Sequence, residues 1–324
     1  MAYRLKPHRP KKKDVRRLAL DQIEKAGRTL SAAKDPVSEI HETRKCLKRL
    51  RSLLRFARAS IPAKDFTRED KRYREIARTL SPLRDGHVML TTVTHLEAMT
   101  NPHPNDAFEA LRPLTAPHAP SNGVAVGHHE IIEHTLAALD DAAKAMRRLT
   151  ISKITIASLA SGMSKTHAHA RASLQAFLRD GSCDSIHDLR KAVQHHGRHL
   201  QLVTSLWPEM FECLIGEARR LAQELGDHHD LTVLAKFVAQ EADGRLTPGH
   251  AAELLAAIAA RQSDLRAAAE PLARRLFSEK SARFEERITE LWKAAIATTS
   301  KAAIAEKSKA TPTGPEPPVL PVHH

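Results

Sequence analysis

The chain has 324 residues, 42% of them apolar, and a formal net charge of +13, so it can build a real core and is too apolar to be a disordered tail. Aromatic residues make up only 4% and Gly is sparse, while Ala, Leu, Arg and Glu abound, which favours helix and speaks against sheet; we read the chain as all-α. Its three cysteines, Cys46, Cys183 and Cys213, have neither CxxC spacing nor partners in number, which excludes a disulfide framework and a zinc ribbon.

The positive charge is concentrated at the front. Residues 1–60 hold 18 Lys plus Arg against 6 Asp plus Glu, a field that attracts polyanions. The first thirteen residues read as a basic disordered arm. They lack the apolar run of a secretory signal, and no window approaches the length of a membrane span, so a cytoplasmic protein is expected.

Helical periodicity predicts segments at 14–33, 37–60, 65–80, 82–99, 125–149, 152–179, 184–206, 208–226, 229–243, 248–276 and 280–297. Asp35 before Pro36 and Ser81 before Pro82 each pair an N-cap acceptor with a proline at the first helical position. The Pro-rich stretch 101–123 reads as a loop with at most one short helix. Residues 298–324 form an Ala/Lys/Pro-rich tail whose Pro-rich end, from Lys307, cannot pack.

The segment "HETRKCLKRLRSLLRF", 41–56, carries the chemistry. Wound as a helix, it puts His41, Arg44, Lys45, Lys48, Arg51 and Arg55 on a face about 120° wide, with Ile40, Leu47, Leu50, Leu53 and Leu54 opposite. Like charges at this spacing cost a helix a few tenths of a kcal/mol each, so stability does not explain the face. Lys71, Arg74 and Arg78 form a second cationic stripe, readable as a groove or as a solvated face.

The segment recurs. "IHETRKCLKR" from Ile40 matches "IHDLRKAVQH" from Ile186, and "RDGHVML" from Arg84 matches "HDLTVLA" from His229 at nearly the same offset. Two matches in register indicate two copies of one helical module. The second copy keeps His187, Arg190, Lys191 and Arg198 on one face, diluted by Gln194 and His195. Asp85 and Asp230, paired by the repeat, read as structural partners of a cation or a helix start.

The H-x-x-R-K-x-x-K-R-x-R pattern of "HETRKCLKRLR", its echo "HDLRKAVQHHGR", and the downstream "LSPLRDGHVML" and "LGDHHDLTVL" resemble the CHAD domain, the conserved histidine α-helical domain, over residues 14–297. The resemblance implies two helical-bundle repeats, about 14–149 and 150–297, related by a pseudo-two-fold axis and facing a basic central pocket or tunnel. It also implies binding of inorganic polyphosphate and association with polyphosphate granules. Carried over by position, His41, Arg44, Lys45, Lys48, Arg49 and Arg51 line the first half of the pocket and His187, Arg190 and Lys191 the second. Later basic positions of the second copy are here Gln194, His195 and Gly197, with Arg198 one residue on, and Arg84 corresponds to His229. Arg55, Lys71, Arg74 and Arg78 extend the expected polyphosphate-binding set. The alternating acidic strands of a CYTH domain are absent from the sequence.

The chemistry of the ligand agrees with such a surface. Polyphosphate is a dense polyanion whose binding should release counterions and weaken with salt. Arginine grips two phosphate oxygens with its fork, and lysine acts as a point charge. No Gly-rich phosphate loop, GxSxG elbow or metal-binding carboxylate cluster is present, so binding without catalysis is expected. No cofactor is implied. Histidine pairs such as His195 and His199 lack third and fourth ligands, so no metal site is assigned, though divalent cations bridging bound phosphates are compatible with it. Two alternatives stay open. A nucleic-acid binder fits the charge but lacks aromatics for base stacking; a scaffold at a granule surface would use the tails, its protein partners unspecified.

Overall fold

Helix-favouring composition and paired caps produce eleven α-helices and no strand among the described residues of the computed structural model, which are 3–32, 36–100, 105–115, 122–241 and 244–309. Side chains at 36, 82–87, 122–128 and 301–309 lie outside that description, as does the expected N-cap Asp35. The helices are α1 (Lys12–Leu30), α2 (Pro36–Phe56), α3 (Ala63–Thr79), α4 (Pro82–Thr100), α5 (Asp106–Thr115), α6 (Asn122–Arg148), α7 (Ile156–Asp180), α8 (Cys183–Val203), α9 (Pro208–Glu241), α10 (Pro248–Leu276) and α11 (Ser281–Lys309). As the Pro positions predict, α2 and α4 start at Pro36 and Pro82. Elsewhere hydroxyls cap the orphan amides: Thr155 accepts from the Ser158 amide at 3.0 Å, Ser182 from Ser185 at 3.2 Å and Thr247 from His250 at 3.1 Å. Helix α7 ends on Gly181 at φ 54°, where a side chain would be strained.

Three expectations need correction. The predicted break between 226 and 229 does not exist, and α9 runs unbroken for 34 residues. The first copy breaks at Ser81–Pro82, but the second has Gly226–Asp227 there. Glycine costs a helix about 1 kcal/mol without removing a hydrogen bond, whereas proline removes one. The basic arm is not disordered where it is described. Tyr3 and Leu5 are buried, the Leu5 amide bonds to the Leu202 carbonyl at 2.8 Å, and the Trp292 indole donates to the His8 carbonyl at 3.1 Å. Those apolar contacts outweigh the entropy that its Pro and Lys content implies. The tail is helical as far as Lys309 within α11, and residues 310–324 lie outside the described part.

Helices α1, α2, α3 and α6 pack as one group, and α7, α8, α9 and α10 as another, with α4 and α5 lying on α9 and α10. The leucines of α2 do what their spacing demands: Leu47, Leu50, Leu53 and Leu54 are buried with Leu18, Tyr73 and Phe211, leaving the cationic face to turn toward α8 and α9. Helix α2 also crosses α7, and the approach there is close. A Cβ on Gly162 would sit 2.2 Å from the Phe56 carbonyl oxygen, so Gly162→Ala must push two helices apart. Urea denaturation of that variant is expected to show a loss of about 2–3 kcal/mol.

Candidate functional site

The polar face of α2 opens on a cavity of about 460 Å³ between α2, α8 and α9. Six cations line it, Lys45, Lys48 and Arg49 from α2, Arg190 and Arg198 from α8 and Arg219 from α9, together with His41; two carboxylates, Asp227 and Asp230, oppose them. Local contacts hold the cations in place. Lys45 reaches Glu42 at 2.5 Å, a bond that keeps the Glu42 carboxyl below its usual range. The Arg49 guanidinium lies 5.6 Å from the Tyr3 ring centroid, and the Tyr3 hydroxyl donates to the Arg49 carbonyl at 2.8 Å, so the arm buttresses the cavity wall. Burial, reinforced by the nearby Arg49 and Arg51 charges, pushes Arg198 down to about 10. It is still cationic at neutral pH. Arg190 stands 3.8 Å from Asp230 and lies over Gly226, where a Cβ would meet it at 3.5 Å.

A second cavity, of about 480 Å³, lies beside α2 and α8 and is lined by Arg51, Arg55, Arg58, Arg74, Lys165 and Lys191 with His169 and His195. Among the described residues no carboxylate lines it. Asp70 compensates from α3, binding Arg51 at 3.0 and 3.2 Å and Arg55 at 2.6 Å. Burial opposes ionisation of Asp70, but the two arginines outweigh it and hold its carboxyl below the ordinary range. Replacing Asp70 with Asn leaves two guanidinia facing each other with only neutral acceptors. Thermal and urea unfolding of Asp70→Asn are expected to report a loss of about 1–3 kcal/mol, part of it recovered in phosphate buffer.

The crossing of α2 with α8 is pinned by polar contacts. Ser52 donates its hydroxyl proton to the Lys48 carbonyl at 2.9 Å, so the 2.7 Å contact with His195 Nδ1 has the imidazole as donor. His199 donates from Nε2 to the Ser52 carbonyl at 2.8 Å. Burial, then the Arg55 charge, pushes His195 well down, so at neutral pH it lines the second cavity as a neutral ring.

The structure separates the remaining residues of the expected set. Arg44 is not at either cavity: it donates to the Ala77 carbonyl at 2.6 Å and to Ser81 Oγ at 2.5 Å, closing the C-terminus of α3. Lys71 pairs with Glu75 at 3.7 Å and lines a cleft between α3 and α6, and the exposed Arg78 lines none of these cavities. His187 and His229 stack on each other with centroids 4.5 Å apart and are not in the linings of the two cationic cavities. Burial first, then Arg190, brings His229 down to about 4; burial, Lys191 and Arg190 lower His187. Asp230 pairs with Arg190, while the side chains of Arg84 and Asp85 lie outside the described residues. Arg58, Lys165, His169 and Arg219 belong to no motif; their place depends on how α7, α9 and the turn after α2 pack. Among the described residues no His, Cys, Asp or Glu group has the makings of a metal site, and no helix is long and apolar enough to cross a membrane.

Fold and cavities together define an all-helical protein whose cationic side chains converge on clefts between crossed helices. The CHAD domain model matches residues 15–239, and the chain belongs to the CHAD domain family. Two solved structures share the fold. The crystal structure of the CHAD domain from the plant Ricinus communis is 18% identical with a TM-score of 0.61, over 85% of this chain and 95% of that one. PptA from Streptomyces chartreusis is 15% identical with a TM-score of 0.59, over 83% of this chain and 100% of that one. No curated protein matches the chain.

Proposed function

We propose that this protein binds inorganic polyphosphate without turnover, in the cavity between α2, α8 and α9, and thereby associates with polyphosphate granules in the cytoplasm. One observation carries the reading: three helices bring six Lys and Arg to one cavity of about 460 Å³ against two carboxylates. Such convergence is costly unless a polyanion neutralises it. In this reading residues 14–149 and 150–297 are two copies of one module whose α2 and α8 supply the facing walls, and the second cavity extends the path of a long chain. Divalent cations bridge neighbouring phosphates.

Calorimetric titration with polyphosphates of defined length, at several salt concentrations, tests this. Affinity should rise with chain length and fall steeply with salt. Duplex DNA displacing long-chain polyphosphate at equal phosphate concentration would favour a nucleic-acid binder instead. A tagged chain that stays diffuse in cells rich in granules would remove the granule assignment.

Binding should also change with pH. Arg190 and Lys191 help to depress His187, and a polyanion that neutralises them relieves that field. The His187 pKa is then expected to rise on binding, so affinity strengthens as pH falls toward about 6. An imidazole titration by NMR with and without polyphosphate should show the upward shift; identical curves would refute it.

A further inference from the structure

The cationic cavity has an apolar annex that an inorganic polymer does not explain. A cleft of about 670 Å³ between α2, α4, α9 and α10 shares His41, Gln223, Asp227 and Asp230 with it, so the two form one bent space. The wall of the annex is largely aliphatic, with Val88, Leu96 and Leu265, yet Thr91, Thr92, His95 and one cation, Arg261, punctuate it. Gln223 donates to Asp227 at 2.7 Å, orienting that carboxylate at the junction.

We infer that this bent space takes a nucleoside polyphosphate, its nucleoside in the largely aliphatic annex and its phosphate chain among Lys45, Lys48 and Arg190. The inference rests on the proposed phosphate-binding role of the cationic cavity. Four features select this class. The annex volume lies in the range of small-molecule pockets, about 300–1,000 Å³. Its aliphatic side chains cover the faces of a base, which inorganic phosphate cannot use. Thr92, Gln223 and Asp230 are already bonded to Val88, Asp227 and Arg190, yet their oxygens keep acceptor capacity for base edges and ribose hydroxyls, which a prenyl or acyl tail would not use. Six cations in one cavity against Arg261 alone in the annex, with carboxylates at the junction, set the orientation: anionic end toward the six, nucleoside in the annex.

The test is calorimetry on the full chain with ATP, GTP, inorganic tripolyphosphate, adenosine, farnesyl diphosphate and long-chain polyphosphate. ATP or GTP is expected to bind at least about tenfold more tightly than tripolyphosphate. Thr92→Trp, which fills the annex, should erase that advantage while leaving tripolyphosphate binding unchanged; Thr91→Trp, at an exposed position of the same helix face, serves if the first variant does not fold. Lys48→Glu should weaken both ligands. The inference fails alone if polyphosphate and tripolyphosphate bind but nucleotides gain nothing over tripolyphosphate, or if neither tryptophan reduces their gain. Farnesyl diphosphate outcompeting ATP would reassign the annex to a lipid. If no phosphate ligand binds, this inference and the proposed function fall together.

Discussion

In the Lys48→Glu, Arg219→Glu double variant, affinity for long-chain polyphosphate is expected to fall by about a hundredfold or more, and the salt slope of log K to flatten by about two. The two residues face the same cavity from α2 and α9, so two of its three walls are struck while the crossing of α2 with α8 is left alone. Reversal changes the cavity from six cations against two carboxylates to four against four, which removes the net attraction. Each reversal takes away a cation that would neutralise a phosphate, and that attraction is screened by salt, hence the altered slope. Fluorescence anisotropy with labelled polyphosphate at several salt concentrations reads both quantities. Arg78→Glu is the control, because Arg78 lines neither cationic cavity and should leave affinity within about twofold. A loss in log K per reversed charge as large for Arg78→Glu as for the double variant would mean that only net charge is sensed.

How far the sequence foretold this arrangement depends on the range over which each residue acts. The helical class, the starts at Pro36 and Pro82 and the buried leucines of α2 follow from propensity, capping and a 3.6-residue period, all of which act within a turn or two. The same local reasoning put His41, Lys45, Lys48 and Arg190 on helix faces that here line one cavity. It failed where a distant partner decides. Nothing near Arg44 in the sequence says that its guanidinium closes α3 at Ala77, and nothing near Arg51 and Arg55 announces Asp70. Arg58, Lys165 and Arg219 reach the cavities only because α2 crosses α7 and α8 beneath α9. The arm misled for a related reason: its charge and prolines outnumber its apolar residues, but Tyr3 and Leu5 find a core groove waiting.

Acid should unfold the protein through its histidines before its carboxylates contribute. His167, His196 and His199 are buried, the first stacked on Phe284 at 4.5 Å and the second between Phe277 and Phe284. Because His199 donates from Nε2 to the Ser52 carbonyl, the proton it would gain must enter at Nδ1, which has no hydrogen-bond partner among the described residues. Burial brings His167 and His199 down to about 4 and His196 well below its ordinary value, with Arg171 beside His167 and Arg55 and Arg198 near His199 adding to the effect. In the unfolded chain the same rings take protons near pH 6.5. The sign follows: the native state binds fewer protons, so stability is full above about pH 6.5 and is lost as pH falls toward 4. His199 alone withdraws on the order of 3 kcal/mol across that window, a large share of the roughly 5–15 kcal/mol of an ordinary fold. Glu42 and Asp70, held below the usual carboxylate range, are affected only at lower pH, so the interval from 6.5 to 4.5 isolates the imidazoles. Urea midpoints at pH 7.5, 6.5, 5.5 and 4.5 should therefore decline steadily. His196→Phe, which replaces a ring whose Nδ1 has no hydrogen-bond partner among the described residues, should make the decline shallower. A midpoint unchanged from pH 7.5 to 4.5 would mean that these rings are already protonated in the native core, or reach water from it.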